Sequence, residues 1–546
     1  MKYILSLAFF TFLWNYTLQA QWNSLNSSST FDEPETGYAK LLFLKNNNTV
    51  YVHATEADGI EVRMYDAERK PLFIKTITTK FGKLKKMTVK NLFEVQGNLA
   101  LFFTEQDGDE QRICRVIIDG KDGHILQQDE LADMGKVSMG KKYAIAMGSV
   151  DVPDFFVRNN AEGNSYAVAV YNSFASESGR RIEVILYNGK HQEVYRSFVS
   201  TPQNNYKYVN MLDMALSNED QVQVWIYGFN TQNSMGGEAF IATLDGTAKT
   251  TSYKTFYQDI GRKSTDGILR YDASNKRFIG VTQAIASTKN KAFSNKQEVY
   301  YEIRRFTFDP ATGQSVEQPV TGIEQLDEQT KALYGSKKNF QGVLQNFYVN
   351  ANGTQTLIFE GLLQKTTYYG SRTSTQVYME NAGVVTYDKD GHVVSTTVVP
   401  FSHQINNNML MGGMGESYKP LEHYNRTSGG IKLKGGNQFK SFFFMNGKDK
   451  NYILLNDIFA NEERLEKKKD VVTIQGLEEA DAFVFDDSQR TPTRQYLFGA
   501  PAEKKKHNLA LLTLSDYNRN DNIFVTLRID ADGKKKTSRL VWLQPK

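Results

Sequence analysis

The sequence predicts an all-β fold, a β-propeller of about eight four-stranded blades, with seven as the alternative. Two observations carry this. First, one hairpin recurs from end to end, an apolar strand running into a turn rich in Asp, Asn or Gly and then a second strand. It reads Met64-Tyr65-Asp66, Ile118-Asp119-Gly120, Tyr187-Asn188-Gly189, Leu244-Asp245-Gly246, Phe308-Asp309-Pro310, Tyr387-Asp388-Lys389 and Ile529-Asp530-Ala531. From Asp66 to Asp388 successive copies lie 53, 69, 57, 64 and 79 residues apart. Second, several strands are apolar throughout, such as Leu99-Ala100-Leu101-Phe102-Phe103. A strand of that kind is covered on both faces by neighbouring sheets. An outer-membrane barrel, the structural rival, needs strands with one lipid-facing apolar side and a polar side opposite.

The first 20 residues read as a secretory signal. Lys2 gives a positive start, and Ile4 to Trp14 is an apolar run shorter than a bilayer span. A small residue, Ala20, precedes the expected cut before Gln21, and no Cys follows to carry a lipid. The expected organisation is a signal over 1–20, an N-terminal extension over 21–37 and a propeller over 38–546. No transmembrane anchor is expected in the mature chain.

Blades follow almost without a gap. The first takes strands over 38–45, 49–54, 60–65 and 71–78, with Asn46-Asn47-Asn48 and Asp58-Gly59 as turns. The second runs from 88 to about 131. The third uses 165–171, 181–187 and 191–199, and the fourth uses 208–216, 221–227, 238–244 and 250–256. The fifth uses 267–271, 277–282, 298–308 and 315–321, and the sixth uses 340–350, 354–363, 383–387 and 392–400. The seventh is the least regular, over 440–445, 452–455, 471–474 and 482–485. The last uses 494–498, 509–514, 523–529 and 538–542. Helix signals are few: 321–334, with Ile323, Leu326 and Leu333 on a shared face, and a charged stretch over 456–469.

Composition narrows the classes. Without Lys2 the chain has 64 basic residues against 61 acidic ones. The Lys runs at 83–86, 467–469, 504–506 and 534–536 are scattered beside turns, as solvated loops and protected edges are, so no nucleic-acid partner is expected. The single Cys, Cys114, forbids an internal disulfide and sits in an apolar strand pattern, where a thiol is buried and inert.

If the repeated turns join third and fourth strands, they share one face of the ring. The opposite face then carries the long connections at 172–180, 228–237, 284–297, 364–382 and 401–430. Long irregular loops usually have a task, which makes that face the functional candidate. Six of the 14 Met precede Gly there: Met134, Met139, Met147, Met235, Met411 and Met414. Met adapts to contact surfaces, and the bland alternative is that these loops fold down and plug the channel. Tyr368 and Tyr369 with Arg372 suit stacking on a sugar, and Tyr171, Phe174, Tyr227 and Phe229 border equivalent loops. The expected ligand-binding set is Tyr368, Tyr369, Arg372, Phe174, Phe229, Met235, Met411 and Met414.

No catalytic, metal or cofactor motif is read. The seven His residues lie far apart, and neither a Gly-x-Ser-x-Gly elbow nor a phosphate-cradling loop is present. Glu105, Asp107, Asp109 and Glu110 form an acidic turn that solvation alone explains, and paired carboxylates on distant loops would escape notice.

At the level of this repeat pattern and leader, the chain resembles secreted β-propeller proteins of Bacteroidota-like bacteria that have no assigned activity. The resemblance covers most of the mature chain and transfers no functional residue. The expected role is an exported, non-catalytic binding or scaffold propeller at the cell envelope (periplasm, outer-membrane surface or outside). It would engage an envelope protein or glycan through the long-loop face. The alternatives are a polysaccharide hydrolase or lyase and a structural subunit of an outer-membrane assembly.

Overall fold

The computed structural model describes residues 22–81, 86–107, 110–136, 153–217, 220–230, 236–260, 264–290, 296–336, 338–369, 372–405, 431–433, 436–440, 442–488, 493–501, 503, 505–533 and 535–545. The signal segment lies outside them. Antiparallel strands form eight blades, and the innermost strands line a central channel: Gly37–Phe43, Thr88–Val95, Asp154–Asn159, Tyr208–Leu216, Ser264–Asp272, Gly342–Val349, Phe442–Met445, and Lys506–Ala510 continued by Asp516–Asn518.

Apolar side chains form eight clusters, one at each junction between neighbouring blades. Between blades two and three, for example, Phe93, Phe102 and Ile117 meet Phe155, Tyr166 and Ile185. A central strand such as Ser165–Tyr171 is therefore buried at every position, while the outermost strand Pro71–Ile77 is mostly exposed.

The ring closes through its ends. Asn23–Ser27 pairs with Lys535–Gln544 as the outermost strand of the eighth blade. Trp22 packs edge-on against Tyr452 and Phe524, at 5.2 and 5.3 Å between ring centres. On the other side of that blade, Trp542 Nε1 donates to Thr49 Oγ1 across the seam with blade one at 2.9 Å. Because the N-terminal strand completes blade eight, Gln495–Tyr496 belongs to blade seven instead, as the partner of Asp481–Asp486. Residues 471–474 form no blade strand, and Ile474 makes a single parallel bridge to His403.

The recurring turns are Asx turns in which a carboxylate or amide stands in for a backbone acceptor. Asp119 Oδ1 accepts from the Lys121 and Asp122 amides, Asn188 Oδ1 from Lys190 and Gln192, Asp245 Oδ1 from Thr247 and Ala248, Asp309 Oδ1 from Ala311 and Thr312, and Asp388 Oδ1 from Asp390 and His392. All join third to fourth strands. Asp530 is the exception: it lies within strand Ile523–Asp532 and pairs with Arg528 and Arg539.

A cation clamps two of the junctions in the same way. Arg115 and Arg305 stand three residues before the ends of the third strands of blades two and five. Arg115 lies over the Tyr187 ring at 4.9 Å and donates to the His191 carbonyl in the next blade's turn. Arg305 lies over Tyr387 at 4.3 Å and reaches the Gly391 carbonyl in the corresponding turn. Aromatic faces stabilise cations that are withdrawn from water.

Two connections differ from expectation. Of the connections 284–297 and 364–382, read as loops, the described residues 284–290, 296–297, 364–369 and 372–382 belong to strands Arg277–Asn290, Lys296–Phe308, Gln355–Tyr369 and Arg372–Tyr387. The second hairpin is rich in Thr and Tyr, polar enough to read as loop but strongly strand-forming. Lys296 and Gln297 pair with Lys365 and Gln364, which joins blades five and six into one eight-stranded sheet. The expected helices are present as Ile323–Tyr334 and Ala460–Glu466. Among the described residues no helix is long and apolar enough to cross a membrane.

Candidate functional site

At the long-loop end of the channel, Ile431–Leu433 adds to the inner edge of blade one, with Gly37 opposite Leu433 and Ala39 opposite Ile431. Towards the short-turn face the channel widens into a cavity of about 890 Å³. Its wall is the last turn-proximal residues of the innermost strands.

β-Bulges set the polar side chains there. The innermost strands of blades two, four, five and six each carry one, between Val89 and Asn91, Met211 and Asp213, Ser264 and Asp266, and Leu344 and Asn346. A bulge re-aims the residue that follows it. Asn91 Nδ2 accordingly donates to the Val157 carbonyl of blade three at 3.0 Å, and Asp213 Oδ2 accepts from the Leu269 amide of blade five at 2.9 Å. Asp213 therefore stands at a post-bulge position held by Asn in blades two and six, at Asn91 and Asn346.

The difference is charge. Arg158 donates to Asp213 Oδ1 through Nε at 3.1 Å and lies 2.9 Å away through Nη2, while Arg270 Nη1 is 3.4 Å from Asp213 Oδ2. Two guanidinium groups share one carboxylate. The Asp213 side chain is 3% exposed and the Arg158 and Arg270 side chains 30% and 33%, opening onto the cavity. Burial pulls Arg270 below the usual guanidinium value, with Asp213 opposing. Lys40 lines the same cavity: its amine donates to the Leu92 carbonyl, and burial pulls it down to about 8 against the attraction of Asp516. Burial pushes Asp516 up, opposed by its 2.7 Å hydrogen bond from the Phe43 amide and by Lys40.

Lys40, Arg158, Arg270 and Arg519 face Glu162 and Asp516, with Asp213 behind, four positive charges against three negative. Tyr271, Tyr348 and Tyr517 and the amides of Asn159 and Asn446 complete the polar wall. The arrangement offers cationic donors, neutral donors and acceptors, and aromatic rings around one open-mouthed cavity, which is how a polar ligand is held and oriented.

The residues expected to bind from sequence are not brought together here. Tyr368, Tyr369 and Arg372 sit at the tip of the blade-six hairpin, where Tyr369 pairs with Arg372 across the turn. Phe174 is half-buried, its amide donating to Asn172 Oδ1 at 3.1 Å. Phe229 is 4% exposed and stacks on Tyr208 at 5.3 Å within the junction between blades four and five, so it packs the core instead of meeting a ligand. Tyr171 and Tyr227 are also buried. Met235, Met411 and Met414 lie outside the described residues, as do Met139 and Met147, and Met134 is buried in strand Ile125–Lys136.

The remaining chemistry is structural. Cys114 is fully buried, and burial pushes its thiol up to about 12. Glu105 is buried and accepts from Arg112 at 2.6 Å. Asp119, Asp122 and His124 gather oxygen and nitrogen atoms within 4.8 Å of one another on an exposed turn. There the two carboxylates already accept the turn's own amides.

No family model and no curated protein matches the chain. Solved structures do. A polysaccharide lyase is 8% identical, covering 86% of this chain and 93% of that one with a TM-score of 0.37. A prolyl endopeptidase is 10% identical over 76% of this chain and 54% of its own, at 0.31. A GH43 endo-arabinanase from Bacillus licheniformis is 12% identical over 53% and 99%, at 0.24. At these identities and TM-scores the likeness assigns no function. The chain is an eight-bladed β-propeller.

Proposed function

We infer that the protein is an exported binding propeller that seats an anionic saccharide in the central cavity of its short-turn face. The observation that carries this is the pair Arg158 and Arg270 sharing the single carboxylate of Asp213 in the wall of the central cavity. A carboxylate or sulfate on the ligand would restore the missing counter-charge through charge-assisted hydrogen bonds. The tyrosines and amides beside it suit the apolar faces and hydroxyls of a sugar ring. Placement at the cell envelope, with a protein or glycan partner on the long-loop face, belongs to the same proposal.

Calorimetric titration with uronic-acid oligosaccharides and their neutral counterparts tests it. Saturable binding of the acidic series is expected, lost in Arg158→Gln/Arg270→Gln. Equal binding of the neutral series, or affinity untouched by the double variant, would refute it.

A second reading, proton-transfer catalysis on the same ligand, is favoured by Lys40, whose value of about 8 lets the amine exchange its proton close to neutral pH. Cleaved product on prolonged incubation, absent in Lys40→Met, would select it over binding alone.

A further inference from the structure

A second cavity, of about 460 Å³, lies on blade one between the N-terminal segment and the second and third strands, beside the Asp58-Gly59 turn of the long-loop face. Five carboxylates line it: Asp32, Glu33, Glu35, Asp58 and Glu61. Glu61 pairs with Arg63, and Glu33 pairs with Lys536 at 3.1 Å. Asp32, Glu35 and Asp58 form no ion pair among the described residues, which leaves three negative charges uncompensated.

Two further observations identify what fits. Tyr51 lines the cavity, is 1% exposed, and its hydroxyl has no hydrogen-bond partner. A buried hydroxyl without a partner is costly, and a donor delivered by a ligand would satisfy it. Phe31 forms the aromatic wall, 5.9 Å from the Tyr51 ring, and the Arg63 guanidinium already lies 4.0 Å over its face. Arg63 holds that ring face, so Phe31 offers the ligand apolar contact for its alkyl stem and the carboxylates take its charge. A metal ion is disfavoured by geometry. Among the described residues the single place where three potential ligand atoms converge within 4.8 Å is the turn of Asp119, Asp122 and His124, not this cavity. Hard cations need several oxygens around one point.

We propose that this cavity is a recognition site for an organic ammonium or guanidinium group on an alkyl stem, held by Asp32, Glu35 and Asp58 against Phe31, with Tyr51 accepting one of its hydrogens. Such a group is supplied by a free amine or by a Lys or Arg side chain of a protein docked on the long-loop face. The site is independent of the central cavity.

The test is calorimetric titration of the full mature chain with cadaverine and with a short Lys-containing peptide. Saturable binding of at least one probe is expected. Cadaverine binding the tighter marks a free amine as the ligand, and the peptide binding the tighter marks a protein side chain. Asp32→Asn/Glu35→Gln/Asp58→Asn, all at exposed positions, should weaken binding by about tenfold or more. Tyr51→Phe, which keeps the ring and its packing, should weaken it by about three- to tenfold. Arg158→Gln/Arg270→Gln should leave it unchanged. Absence of saturable binding by either probe, affinity equal to wild type in the triple variant, or affinity equal to wild type in Tyr51→Phe would each overturn the proposal.

Discussion

Asp213→Asn should move stability and ligand affinity in opposite directions. The substitution is nearly isosteric, and Asn already occupies the equivalent post-bulge position in blades two and six, at Asn91 and Asn346. The side-chain oxygen can still accept from Leu269, 2.9 Å away in the wild type. What is lost is the charge that Arg158 and Arg270 share. Breaking a fully buried pair costs about 3–5 kcal/mol. Here both guanidiniums are about one-third exposed, so the loss should be nearer 1–2 kcal/mol. A ligand anion bound on the far side of the guanidiniums would sit about 6 Å from the carboxylate. At an effective dielectric of about 40, intermediate between surface and bulk water, removing that repulsion is worth about 1.4 kcal/mol, or tenfold in affinity. Denaturant unfolding and calorimetric titration of the acidic saccharide, run on the same preparation, read both quantities. A variant that binds more weakly than wild type would refute the reasoning, because Asp213 would then be a ligand contact and not a competitor for the two cations.

Other outcomes follow from single groups. Acidic-ligand affinity should fall as pH rises through about 8, where Lys40 loses its proton, and Lys40→Arg should flatten that profile in titrations between pH 6.5 and 9.5. His403 is buried and neutral, its Nε2 lying 2.9 Å from the Asn456 carbonyl, and burial pulls it down to about 3. A His with a depressed value contributes stability that is complete above the unfolded value, near 6.5, and is lost as pH falls towards 3. That amounts to about 2 kcal/mol at pH 5, measurable as a slope that His403→Gln removes. Cys114 should stay unmodified by a thiol reagent in the native protein at pH 8 and react only on unfolding; fast native reaction would show that its strand opens. Trp22→Ala should cost about 3 kcal/mol or more by emptying the seam between blades seven and eight, seen as a lower denaturation midpoint.

Much of the ring was legible in sequence because one local interaction repeats. An Asp or Asn that accepts amides of its own turn leaves the same mark where a third strand meets a fourth in the first six blades, from Asp66 to Asp388. Asp530 shares the letters without the turn, since blade eight ends its chain one strand early and borrows Asn23–Ser27. That exchange joins residues more than 500 positions apart, and nothing local in 21–37 reports it. The hairpin carrying Tyr368 and Arg372 is hard to recognise in sequence, because polar β-branched residues look like loop until two hairpins pair edge to edge.

The candidate site leaves a weaker mark in sequence, because long connections stand out whereas Arg158, Asp213 and Arg270 lie on innermost strands. The available signal was a lone charge inside an apolar run, as in Met211-Leu212-Asp213-Met214 and Ile268-Leu269-Arg270-Tyr271. Each of these charges looks anomalous alone. Only ring closure brings blades three, four and five into register around one carboxylate.

The most direct measurement is a crystal structure of the protein soaked with a uronic-acid trisaccharide. The ligand carboxylate is expected within hydrogen-bond distance of Arg158 and Arg270, in the cavity at the short-turn face. A trisaccharide bound at the long-loop face instead, or a central cavity holding only solvent at saturating ligand, would contradict the central-cavity site.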